Sequence, residues 1–150
     1  MCGIVGGTSE RNILPILVEG LRRLEYRGYD SAGVAFKKNG TIDVVKNAGR
    51  VEQLAKKLKL KENSTNLGIA HTRWATHGVP SEKNAHPHSS KDIFIVHNGI
   101  VENHEELKAQ LRSEGMRFSS QTDSEVIAHL VQYYVEKGQS FEKAVFNTIK

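Results

Sequence analysis

The chain has 150 residues, of which 38% are hydrophobic and 25% charged, with 13 glycines, 3 prolines and a net charge of +4. That is the size of one ordinary domain, able to bury a core, and it excludes disordered, collagen-like and low-complexity classes. No apolar run approaches the ~20 residues of a membrane span, no basic-then-apolar leader opens the chain, and no Arg-rich, aromatic-interleaved patch is present, so neither a membrane nor a nucleic acid is expected as partner and the chain reads as cytoplasmic.

The elements follow in chain order. Cys2–Gly7 (CGIVGG) is short, apolar and β-prone. Asn12 is placed to cap a helix whose stripe is Leu14, Leu17, Val18, Leu21 and Leu24, with Pro15 tolerated in its first turn. It runs out at Tyr26–Arg27–Gly28. Ala32–Phe36 and Ile42–Val45 flank Asn39–Gly40, a strong hairpin signal because both turn residues tolerate φ > 0. Val51, Leu54 and Leu58 mark a short second helix, Asn63–Asn66 a turn, and Leu67–His71 a strand. His71–Gly78 (HTRWATHG) is too polar and Gly-rich to stay regular, and Val79–Ser90 is expected to be loop. Ile93–Val96 is a continuous apolar run, the mark of a strand buried on both faces. Asn103 with Glu106, and Thr122 with Glu125, have capping-box spacing ahead of helices stopped by Gly115 and Gly138. Ser140 caps a last helix, with Phe141, Val145 and Ile149 on one face and no stop signal before Lys150.

The lone cysteine excludes an intrachain disulfide and a multi-thiolate zinc site. It stands at position 2, after Met1. Read alone, Cys2 is either a small apolar residue of a buried first strand or a nucleophile. Met aminopeptidases remove Met1 when residue 2 is small. Cys2 would then carry a thiol and a free α-amine of pKa ~7.7–8.0, a nucleophile with its own general base. The other candidates have two readings as well. Asp123 can be the first residue of a helix, Asn98–Gly99 a turn after a strand, and Trp74 a core aromatic. His86–Pro87–His88 is read as a rigid loop rather than a metal site, since H-x-H without HExxH or a second cysteine is a weak signal.

Six blocks decide between these readings: Cys2–Gly7 (CGIVGG), Glu25–Gly33 (EYRGYDSAG), His71–Gly78 (HTRWATHG), Asn84–His88 (NAHPH), Val96–His104 (VHNGIVENH) and Thr122–Val126 (TDSEV). In this order they resemble the glutaminase domain of the glucosamine-6-phosphate synthase family, class II glutamine amidotransferases of N-terminal-nucleophile hydrolase fold. The resemblance covers essentially the whole chain.

It implies an α+β fold, a four-layer α/β/β/α sandwich, of which residues 1–150 hold the N-terminal part only. It implies that Cys2 attacks the side-chain amide of glutamine, with Asn98 and Gly99 as the oxyanion site. Arg73 would bind the substrate carboxylate with help from Thr76 and His77, and Asp123 the α-ammonium. Trp74 would gate the site and Arg27 support it. No metal or cofactor is implied. The implied partners are glutamine, the C-terminal sugar-isomerase domains that bring fructose 6-phosphate in the complete enzyme, and a homodimer. Two competing readings are a truncated, inert glutamine-binding module and a Cys–His hydrolase unrelated to this family.

Overall fold

The computed structural model describes residues 1–75 and 77–150. The elements are β1 (Gly3–Thr8), α1 (Leu14–Leu24), β2 (Ser31–Lys38), β3 (Thr41–Ala48), α2 (Val51–Leu58), β4 (Leu67–Arg73), β5 (His88–Ser90), β6 (Ile93–Ile95), α3 (His104–Ser113), α4 (Glu125–Glu136) and α5 (Phe141–Thr148). A single turn of 3-10 helix, Glu25–Arg27, follows α1.

One sheet has the strand order β1-β4-β2-β3, all neighbours antiparallel; the other is the β5–β6 pair. The β2–β3 hairpin turns on Asn39 and Gly40, with φ of 49° and 85°, as the Asn-Gly signal requires. Leu14, Leu17, Val18 and Leu21 of α1 are fully buried with Leu54 and Leu58 of α2 against Val34, Phe36 and Ala70 of the large sheet. A second cluster joins Leu111 of α3 to Val126 and Leu130 of α4. The layers therefore run α1/α2, large sheet, small sheet, α4/α5. At Gly33 a Cβ would fall 2.1 Å from the His86 carbonyl oxygen, so only glycine lets the 84–88 segment press onto β2. Elsewhere the sheets stand apart, around an apolar cavity of about 320 Å³ lined by Phe36, Ile69, Ile93, Ile95, Val131 and Val145 among others.

Several local expectations need correction. His88–Ser90 is a strand inside the expected loop, paired with β6. Residues Ile93–Ile95 are only half-buried, because the cavity runs along them where a second packed face was expected. The strand through His71 continues to Arg73, held between β1 and β2. Neither expected capping box forms: Asn103 makes no side-chain cap bond, and Glu125 turns to stronger partners at Ser119 and Ser120. The last helix stops at Thr148. No helix among the described residues is long and apolar enough to cross a membrane.

Candidate active site

The large sheet carries the N-terminus to the end of β4. Gly3 lies opposite Thr72 in the β1–β4 pair, and its N–H donates to the Thr72 hydroxyl at 3.1 Å. Cys2, one residue ahead of β1, thus falls beside Trp74, one residue past β4. The Trp74 N–H donates to the Cys2 Sγ at 3.3 Å, and the thiol lies 3.9 Å from the Trp74 carbonyl. From the second sheet comes Asn98, just beyond β6. Its side-chain oxygen accepts the Cys2 N–H at 3.1 Å, across 96 residues of chain. Met1 folds back, its amine donating to the Arg27 carbonyl at 2.8 Å. The Arg27 side chain reaches the Met1 sulfur at 3.6 Å. Cys2, Asn98, Trp74 and Arg27 are thereby gathered at one corner. Trp74 is 56% exposed, which removes the core-aromatic reading.

A second group lies alongside. Arg73 is only 4% exposed. Its Nη2 donates to the carbonyls of His77 and Gly78, the latter at 3.3 Å, while its buried Nη1 has no hydrogen-bond partner among the described residues. Asp123 is 3% exposed and accepts the Val101 N–H at 2.7 Å, so it is tied to the 98–101 segment and does not serve as a plain helix cap. Its other oxygen stands 3.9 Å from His77 Nδ1. Gly99 is exposed beside Asn98. Thr76 lies outside the described residues.

Beneath these groups, between the sheets, sits a stack of imidazoles. The His71 and His86 rings stack with centroids 4.2 Å apart, and His88 adjoins His86 at 4.4 Å. His71 Nε2 donates to the His97 carbonyl at 3.1 Å, and the His97 N–H donates to His86 Nδ1 at 3.3 Å. Burial is the chief cause that holds these rings uncharged: the pKa of His71 is pushed down to about 4, that of His88 to about 3, and that of His86 further still. Among the described residues no group of three or more His, Cys, Asp or Glu is arranged to hold a metal ion.

Sequence reasoning missed Asp30. Its carboxylate accepts the Ala75 N–H and the Ser31 hydroxyl, and its own N–H donates to the Arg73 carbonyl at 3.2 Å, so it braces the Arg73–Ala75 corner. It lies inside the EYRGYDSAG block, but nothing in its spacing marks it. Ser124 was missed as well; its hydroxyl links Asp123 to His97.

Two antiparallel sheets between helical layers, with the second residue of the chain at the head of the edge strand β1, give the fold of the N-terminal-nucleophile hydrolases. Residues 58–146 match the family described as the glutamine amidotransferase domain, and the chain belongs to that family. Over the whole chain it is 54% identical to glutamine–fructose-6-phosphate aminotransferase (isomerizing) of Shewanella oneidensis, 56% to that of Vibrio vulnificus and 52% (99% of this chain) to that of Shigella flexneri. The chain spans 25% of the length of each. Among solved structures it is similar to the glutamine phosphoribosylpyrophosphate amidotransferase of B. subtilis, complexed with ADP and GMP, at 26% identity and a TM-score of 0.77, covering 99% of this chain and 32% of that one. It is also similar to an allosteric regulatory enzyme of purine biosynthesis, at 27% identity and a TM-score of 0.78, with the same coverage of both chains.

Proposed function

We propose that residues 1–150 form the N-terminal part of a type 2 glutamine amidotransferase domain that hydrolyses the side-chain amide of glutamine with Cys2 as nucleophile. The observation that carries the reading is the meeting of Cys2 and Asn98, joined at 3.1 Å across 96 positions of sequence. Once Met1 is removed, the Cys2 nitrogen becomes an α-amine. It is then the base nearest the thiol and is oriented by the Asn98 oxygen. It takes the thiol proton as Sγ attacks the amide carbon. The amide oxygen becomes an oxyanion, stabilised by the Asn98 Nδ2 and the Gly99 N–H; one such donor is worth ~10²–10³ in rate. Collapse of the intermediate expels ammonia, which leaves with the proton held by the amine. Water then attacks the thioester, with the amine again as base, and glutamate and the free thiol are restored.

Recognition of the amino-acid end falls to a complementary pair. Arg73, with an Nη1 unpartnered among the described residues and a guanidinium suited to bidentate contact, takes the α-carboxylate; His77 adds a hydrogen bond to the substrate, a part the sequence motif also assigns to Thr76. Asp123 takes the α-ammonium. Trp74, exposed beside the thiol, closes over the substrate, and Arg27, whose carbonyl holds the Met1 amine before Met1 is removed, has a supporting role. The names of the relatives support amination of fructose 6-phosphate by the ammonia in a longer protein; the proposal adds sugar-isomerase domains outside residues 1–150, a homodimer and a cytoplasmic location.

The test is glutamine hydrolysis alongside an intact mass. Loss of one Met and abolition of activity in Cys2→Ala are expected. Retained Met1 in an active sample overturns the α-amine base, and activity in Cys2→Ala overturns the nucleophile.

A further inference from the structure

We propose that His97 is a positioning residue that sets the Asn98–Gly99 oxyanion site and couples it to Asp123; the inference rests on the reading of Cys2, Asn98 and Gly99 given above. His97 lies between the stack of imidazoles, which it meets through its backbone, and the site, and it is held at three points. Its N–H donates to His86 Nδ1 at 3.3 Å and its carbonyl accepts from His71 Nε2 at 3.1 Å, so both of its backbone polar groups are fixed by buried rings. Its own ring Nδ1 lies 2.9 Å from the Ser124 hydroxyl. That hydroxyl is 3.3 Å from Asp123 Oδ1 and can only donate to a carboxylate, so it accepts from His97 Nδ1–H. The chain of donors is therefore directed: His97 Nδ1–H to Ser124, Ser124 O–H to Asp123.

The far edge of the same ring packs on the next peptide but one. A Cβ at Gly99 would stand 2.7 Å from His97 Nε2, closer than real side chains come. The imidazole thus props the backbone that presents the Gly99 N–H, while its bond to Ser124 fixes where that prop stands relative to Asp123. Asn98 lies between these contacts, with its side-chain oxygen committed to Cys2. An oxyanion donor acts only if it is aimed at the oxygen before reaction, and small misplacements are costly. His97 performs that aiming without touching substrate. The bland alternative, a core histidine that serves stability alone, leaves unexplained why its ring hydrogen bond ends on the carboxylate of the site.

The experiment compares His97→Ala, His97→Asn and His97→Gln in this chain by glutamine-hydrolysis kinetics, thermal melting and alkylation of Cys2 with iodoacetamide, which requires the thiol but no oxyanion donor. His97→Ala is expected to lower kcat roughly 10- to 100-fold, with KM for glutamine changed less than about threefold and alkylation unchanged. Asn places an amide N–H where Nδ1 stood, so His97→Asn is expected to recover most of the lost kcat. Gln, whose amide reaches the Nε2 position, is expected not to. Adding Ser124→Ala is expected to erase the Asn rescue. The proposal is overturned if His97→Ala keeps kcat within about twofold. It is equally overturned if kcat, alkylation and melting fall together, or if Gln rescues as well as Asn. Absence of hydrolysis in the unsubstituted chain, or its survival in Cys2→Ala, is the distinct result that overturns the parent reading and this one with it.

Discussion

The two sheets bury opposite kinds of residue. Behind the large sheet α1 and α2 enclose a dry cluster of Leu, Val, Ala and Phe, nearly all of it at 5% exposure or less. In front of it, around the small sheet and beside the smaller apolar cluster of Leu111, Val126 and Leu130, the buried polar groups include His71, His86, His88, Thr122, Asp123, Ser124 and Glu125, several of them joined by hydrogen bonds. The first arrangement takes its stability from area removed from water, which is indifferent to orientation and pH. The second takes it from satisfied polar partners, which impose orientation and are sensitive to protonation. The residues proposed to touch glutamine sit on the second arrangement and are braced against the first.

That contrast can be broken from either side. Leu17→Ala, at a 1% exposed position, is expected to destabilise by about 2–5 kcal/mol in denaturant unfolding, by the same amount at pH 7 and pH 5. Acid should act on the other layer alone. His71 and His88 have folded pKa values of about 4 and about 3, below the unfolded value of 6.5, so the unfolded chain binds more protons between those limits. Their full contribution is present above pH 6.5 and drains as pH falls toward 4. The expected loss at pH 5 is about 2 kcal/mol for each ring, and an unchanged midpoint between pH 7 and pH 5 would refute the neutral stack.

Glu125 sharpens the same point with a carboxylate. It accepts from the N–H and hydroxyl of both Ser119 and Ser120 at 2.6–2.8 Å, and these bonds with His129 hold its pKa well below the usual range against the opposing effect of burial. Its contribution should fade only below about pH 4.5, well below the pH at which the histidines begin to lose theirs. Glu125→Gln turns an acceptor into a donor facing donors, and a loss of about 1–3 kcal/mol is expected. The smallest effect is expected at the surface: Arg22 pairs with Glu52 at 3.0 Å with both side chains over 40% exposed, and Arg22→Ala should cost less than about 1 kcal/mol, falling further in high salt.

The same division decides what was legible in the sequence. The apolar layer announces itself, because Leu14, Leu17, Val18 and Leu21 follow the helix period and Asn39–Gly40 fixes its hairpin locally. The polar layer has no period. His71, His86 and His97 meet only because β4, the 84–88 segment and the end of β6 converge, so the sequence reads His71 as a strand end and His86–Pro87–His88 as a rigid loop, and not as a stack. The capping spacing at Thr122 misled for the same reason: Glu125 has four donors at Ser119 and Ser120 that no local rule counts. Cys2, Asn98, Arg73 and Asp123 are proposed from the motif blocks; the bracing of Asp30 and Ser124 depends on contacts that only the folded chain reveals.

The register of β1 also sets a timetable. Its first residue, Gly3, bonds to Thr72 across 69 positions. At a synthesis rate of ~5–20 residues per second, about 3–14 s separate the appearance of the two. Asn98, the partner of the Cys2 nitrogen, is made later still. Throughout that interval residues 1–8 have no strand to join, and on the proposed reading the Met1–Cys2 bond is within reach of a co-translational peptidase before the sheet claims it.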